Sequence, residues 1–163
     1  MAFDAFLKIN GVPGESTDDK HKDWIEVLSF NFGISRVGEK ERGRPRGGRA
    51  DLSDFTIVHK VDKASPLLFE ACCSGERLPE VMFTVSRAGK DSFDYLKIGM
   101  TDVLISGVQP AGSSGGNDIP LEQVNLNFQK IELEYTPQRP DGTQGAPVKS
   151  SCSPHRSSLS DQT

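Results

Sequence analysis

The feature that most constrains this chain is short-range alternation of apolar and polar residues, repeated along most of its length and punctuated by turn formers. Phe3, Ala5, Leu7 and Ile9 hold alternate positions ahead of Asn10-Gly11 and Pro13-Gly14. That is the pattern of a strand buried on one face and ended by a turn. Further strands are predicted over Trp24–Gly33, Asp54–Val61, Glu80–Arg87, Phe93–Val108 and Glu122–Tyr135. Ala88-Gly89-Lys90-Asp91 reads as a turn, and 110–120 as a Gly/Ser-rich loop.

Side chains on a strand repeat every two residues, so a change of phase within one strand signals an extra residue. Ile25 and Val27 are out of phase with Leu28, Phe30 and Phe32. A bulge near Val27–Leu28 would turn all five to the core and leave Ser29 and Asn31 on a polar face. Val124, Leu126 and Phe128 are likewise out of phase with Ile131, Leu133 and Tyr135, which predicts a second bulge at Gln129–Lys130. A straight strand over Phe93–Val108 would reach about 50 Å, so a bend or break is expected near Gly99–Asp102.

One helix is predicted, over Pro66–Ser74, with Ser65 as its cap, Pro66 in the first turn and Gly75 at the left-handed stop. Leu68, Ala71 and Cys72 form its apolar stripe. Residues 36–50 have four glycines, one proline and no apolar periodicity, and read as a long mobile loop. The fold class is mainly β: an antiparallel barrel or two-sheet sandwich, with one short helix packed alongside and a long extended loop. Residues 1–149 form this domain, and 150–163 read as a flexible polar tail.

Catalytic patterns do not emerge. His21, His59 and His155 fall on a loop, a strand and the tail, without metal-ligand spacing. Cys72-Cys73 has nothing beside it in sequence to activate a thiol. Gly43–Gly48 and Gly112–Gly116 lack the Lys-Ser/Thr and strand-to-helix context of a phosphate cradle. No cofactor or metal is expected, nor an enzyme. The opening MAFDAFLKINGVPGE has an acid at Asp4 and no signal-peptide core, and no stretch approaches the roughly 20 apolar residues of a membrane span. Export, on this reading, would depend on another machine.

Charge is distributed unevenly. The net charge is −4, yet Arg36, Lys40, Arg42, Arg44, Arg46 and Arg49, less Glu39 and Glu41, leave 36–50 at +4 and the remainder at −8. Such polarity suits head-to-tail contact between copies. Two other readings stay open: a solvated loop, or a polyanion-binding surface on an adaptor or nucleic-acid-binding barrel. Nucleic acid would favour aromatics interleaved with the bases, which this segment lacks.

The segments MAFDAFLKINGVPGES, DWIEVLSFNFGIS, DFTIVHKVDKASPLLFEACCSGE, EVMFTVSRAGKD and LEQVNLNFQKIELEYTPQRPDG resemble, in order, the haemolysin-coregulated protein family. The resemblance runs to about residue 149; Ser150–Thr163 departs from the aromatic and glycine ending usual in that family. It implies a β-barrel with a helix at its side, and hexameric rings that stack as the inner tube of a type VI secretion system. The implied partners are further copies of the chain, a spike protein, the contractile sheath and small effectors in the lumen. The protein would be cytoplasmic during assembly and then secreted. Arg36–Ala50 would reach towards the next ring, Ser29 and Asn31 would face the lumen, and the helix would line or border the channel.

Overall fold

The strand at residues 25–31 serves two partners, and this closes the sheet on itself. The computed structural model describes residues 3–41, 44–88, 93–115 and 119–153, with 37–41 and 44–49 described by their backbone alone. Ten strands are described: β1 (Phe3–Ile9), β2 (Ile25–Val27), β3 (Ser29–Asn31), β4 (Ile34–Glu41), β5 (Arg44–Leu52), β6 (Phe55–Lys60), β7 (Arg77–Arg87), β8 (Asp94–Ala111), β9 (Leu121–Tyr135) and β10 (Val148–Cys152). Among the described residues there is one helix, α1 (Ser65–Ser74), which follows β6. The main sheet is antiparallel, in the order β2-β1-β7-β8-β9-β6-β3, with β10 beside the second half of β9. Because β2 and β3 are consecutive in the chain, the two ends of this order meet, and the sheet is a nearly closed barrel.

The expected second strand is therefore divided. Its first half pairs with β1 (Leu7 opposite Ile25) and its second half with β6 (Phe30 opposite Ile57). The Leu28 N–H donates to the Val58 carbonyl at 2.8 Å as the strand changes partner. The phase slip falls where the sequence places it, and Ile25 and Val27 are buried while Phe30 and Phe32 pack against the core. Leu28 does not join them: it is 49% exposed, because the bend turns two successive side chains outward. Phe3, at the start of β1, is also exposed, whereas Phe6 on the other face is buried. The aromatic centre of the core is Phe30, Phe32, Phe55 and Phe83, with Phe55–Phe83 centroids 5.0 Å apart and Phe30–Phe83 4.7 Å apart. Contacts of this kind add to the large apolar area each ring buries.

The long strands bend without breaking. In β8 the buried positions pass from Ile98 and Met100 to Val103 and Ile105, and in β9 from Leu126 and Phe128 to Ile131. Register is the same on both sides, with Thr101 opposite Lys130 and Val103 opposite Phe128. Hence Gln129–Lys130 is not a one-sided bulge. Both strands carry one extra residue at the same level, Asp102 in the left-handed conformation (φ 53°) against Gln129, so the faces exchange while pairing is kept. The register shift in this pair lies between Ile105 and Gly107.

Three other expectations change. Gly75 is left-handed (φ 68°) and its N–H reaches the Ala71 carbonyl, as a helix stop requires. Ser65, however, lies inside the helix and is buried; its hydroxyl accepts the Asp62 N–H, while the Asp62 carboxylate accepts the Ala64 N–H. The segment expected as a mobile loop is the β4–β5 hairpin, a separate two-stranded sheet. Ser150, Ser151 and Cys152, expected in the tail, pair with Leu133, Glu132 and Ile131 as part of β10. Gly89, Lys90 and Asp91 of the expected turn lie outside the described residues, as do Arg42 and His155.

Two histidines are buried structural groups. His21 stacks on Phe6 at 4.3 Å and bridges Asp18 (2.6 Å) and Asp94 (3.0 Å), tying the β1–β2 connection to the start of β8. The hydrogen bond from its ring holds the Asp18 carboxyl below the ordinary aspartate value, against a smaller opposing effect of burial. His59 follows Phe55 and Ile57 on the inner face of β6, fully buried, with Nε2 2.8 Å from Glu122 Oε1 and Nδ1 3.8 Å from Asp62 Oδ2. Burial opposes its charge, but the Asp62 and Glu122 carboxylates together outweigh that and raise the imidazole above the ordinary histidine value.

Two stability measurements follow. Phe55→Ala, at the centre of the aromatic cluster, is expected to cost about 3–5 kcal/mol, and Leu28→Ala less than about 0.5 kcal/mol, in urea unfolding. A group with a raised native pKa stabilises the fold fully below its unfolded value, about 6.5 for histidine, and loses that contribution as pH rises through the native value. As pH rises above about 6.5 the wild type should thus lose stability relative to His59→Gln. Parallel pH dependence of the two urea midpoints would contradict this account of the pair.

Candidate assembly surfaces

Ser29 and Asn31 point outward from β3, and both are exposed. Backbone register carries them into two rows across the barrel wall. Asn31 lies opposite Thr56, Thr56 opposite Asn125 and Asn125 opposite Gly107; Ser29 leads through Val58 and Gln123 to Gln109. The Thr56 hydroxyl donates to Asn125 Oδ1 at 2.9 Å. A Cβ on Gly107 would come within 3.0 Å of Asn125 Nδ2, so the glycine leaves room for that amide. At the margin, Asp54 accepts from the Ser106 hydroxyl (2.8 Å) and the Asn127 amide (3.0 Å). The result is a wall of hydroxyls and amides with little formal charge. Reading Trp24–Gly33 alone finds two of its members. The rest were signalled by Asn125 and Asn127 alternating with Val124, Leu126 and Phe128 in β9, a pattern whose outward half is easily passed over.

The opposite wall differs in chemistry. Its outward rows include Lys97 opposite Glu134 and Glu134 opposite Lys149, whose ammonium lies 3.6 Å from the Glu134 carboxylate. Polar neutral and mixed-charge surfaces thus occupy different sides of one barrel. The separation follows from β8 and β9, which exchange faces at Asp102 and Gln129.

The basic segment is placed by the hairpin. Arg36 is exposed and lies opposite Ala50 in the β4–β5 register; Lys40 is opposite Pro45. Arg44 and Arg46 stand opposite Glu41 and Glu39, and Arg49 is also in β5. Two of the bases therefore hold register positions opposite acids within the hairpin. At its base, Ser53 N–H donates to the Gly33 carbonyl at 2.9 Å and the Gly33 N–H to the Ser53 hydroxyl at 2.7 Å, fixing where it leaves the barrel. The helix packs against β8, with Phe69 60% exposed and Cys73 also exposed. Among the described residues no cluster of His, Cys, Asp and Glu is arranged to hold a metal ion, and no helix is long and apolar enough to cross a membrane.

Comparison with known proteins gives this geometry its context. Residues 6–135 match the family model described as type VI secretion system effector, Hcp. Protein hcp1 of Pseudomonas aeruginosa is 40% identical over 152 residues, covering 91% of this chain and 93% of that protein. The Major exported protein of the same organism is 29% identical, covering 80% of this chain and 88% of its own. Among solved structures, that of a type six secretion system protein superposes with a TM-score of 0.88 at 34% identity, covering 93% of this chain and 96% of the other. Hcp1 from Salmonella typhimurium gives a TM-score of 0.78 at 34% identity, covering 94% and 96%. Match, identity and superposition all extend over nearly the whole barrel, and the chain belongs to the Hcp family of type VI secretion system effectors.

Proposed function

We propose that this chain is a structural subunit of the type VI secretion inner tube. In this reading it forms hexameric rings that stack head to tail, leaves the cell with the tube, and carries small effectors in its lumen without catalysing a reaction. The observation that carries the reading is the β4–β5 hairpin. It forms a sheet apart from the barrel, and residues 36–50 within it hold a net +4 against −8 for the rest of the chain. A charged arm of this kind suits a contact in which one surface meets a different surface on the next copy, the arrangement that propagates into filaments.

The wall containing Ser29, Asn31, Thr56 and Asn125 is the surface assigned to the lumen. Amides and hydroxyls hydrogen-bond to many partners without demanding one sign of charge, which suits a passage for varied cargo. The spike protein and the sheath are the remaining partners of the assembly. Salt screens exposed charges over about 8–10 Å, so stacking through the hairpin should weaken with ionic strength, whereas ring closure need not.

Light scattering across concentration, in low and high salt, tests ring formation directly. A salt-stable hexamer is the expected result; a monomer throughout would overturn the proposal. Arg44→Glu with Arg46→Glu takes residues 36–50 from +4 to 0 and should spare the hexamer while weakening stacking. Glu39→Arg with Arg46→Glu keeps both the net charge and the cross-strand opposition of signs, and should stack as the wild type does. Normal stacking by the first variant in electron micrographs would count against the hairpin as the stacking arm.

A further inference from the structure

The end of the barrel away from the hairpin carries an acidic cleft with an apolar floor. Glu15, Glu26, Asp62, Lys60, Leu28 and Ile119 line it. Three acids against one base leave it negative. Leu28 is 49% exposed and Ile119 55% exposed. Leu28 is out of the core because the closing strand bends there, so the fold itself presents an apolar side chain at this mouth.

Its position relative to the hairpin is fixed by β6. The hairpin leaves the barrel at Gly33 and Ser53, just before β6 begins at Phe55, whereas Lys60 ends β6 and Val61 and Asp62 follow it. Six residues at about 3.3 Å each put the two features at opposite ends of a strand roughly 20 Å long. One end of the subunit therefore projects a cationic two-stranded arm, and the other end offers an anionic cleft.

We propose that this cleft receives the β4–β5 hairpin of a second copy of the chain. The inference rests on the tube reading above and deepens it, by naming the surface on which the arm lands. Charge complementarity selects the occupant: the acids favour a cationic ribbon and disfavour a nucleic acid, and the hairpin has the required sign. Glu15 and Glu26, both exposed, supply the attraction. Leu28 and Ile119 supply apolar area that is covered only when the arm is seated. The contact is between unlike surfaces, so each subunit both gives an arm and accepts one.

Disulfide trapping in the full-length chain tests this even if stacks are short-lived. Leu28→Cys and Arg42→Cys are combined in a Cys73→Ser background, which removes the exposed native thiol. Mild oxidation should give a ladder of covalent oligomers on non-reducing gels, while either new cysteine alone stops at dimers. Adding Glu15→Lys and Glu26→Lys should lower the ladder by about tenfold, since like charges would then meet across the contact. Adding Arg44→Glu and Arg46→Glu to that variant should restore it. Hexamers that give no ladder, or a ladder indifferent to Glu15→Lys and Glu26→Lys, would overturn the cleft as acceptor and leave the tube reading standing. A chain that stays monomeric would remove both.

Discussion

The change of partner at Leu28 is the constraint on which the rest of the structure depends. An open sheet leaves rows of unpaired N–H and C=O groups at both edges. Here one short stretch of chain occupies both edges in turn, β2 against β1 and β3 against β6. To do so it must bend, and the bend shifts its side chains by one position. That shift sends Phe30 and Phe32 into the aromatic centre with Phe55 and Phe83, and turns Ser29 and Asn31 outward. It also aims the chain out of the barrel at Gly33, where the hairpin begins. Core, polar wall and arm are three consequences of a single closure.

A second device lets two strands serve both walls. β8 and β9 are each longer than an ordinary strand, and a continuous alternation would keep one face inward along their whole length. Paired extra residues at Asp102 and Gln129 exchange the faces with no loss of register, so the barrel wall can turn. A one-residue bulge on either strand alone would have displaced every later pair. β9 then spends its other edge on two partners, β6 along its first half and β10 along its second.

Much of this was legible in the sequence, and the misses have physical causes. Phase slips at Val27–Leu28 and in β9 were visible because alternation is local. Whether a slip is a bulge, a partner change or a matched pair depends on the neighbouring strand, which local pattern does not contain; hence Leu28 was placed in the core and Gln129–Lys130 assigned a one-sided bulge. The hairpin was hidden because Gly38, Gly47 and Gly48 and the clustered charges remove apolar alternation, and a ribbon outside the core needs none. His21 lies on a loop, as the sequence indicates, but its burial was not legible since its partners, Phe6 and Asp94, are distant in sequence. Ser65 offered the right residue type for a cap, but Asp62 bonded the Ala64 N–H one turn earlier and drew the serine into the helix.

The polarity of the subunit follows from topology rather than from composition. A barrel closed by one strand has two distinct ends, because the chain must enter the closing strand at one and leave it at the other. Between Val12 and Trp24 the entering chain brings Glu15, and β2 itself brings Glu26; the departing chain becomes the cationic hairpin. The net-acidic cleft and the net-cationic hairpin are thus set apart by chain direction. A two-fold dimer would close the exchange of arm and cleft between two copies, whereas translation along the barrel leaves one arm and one cleft to be met by further copies. An arm and a cleft on different ends of one barrel suit the repeating arrangement proposed above, and both are placed once Leu28 changes partner.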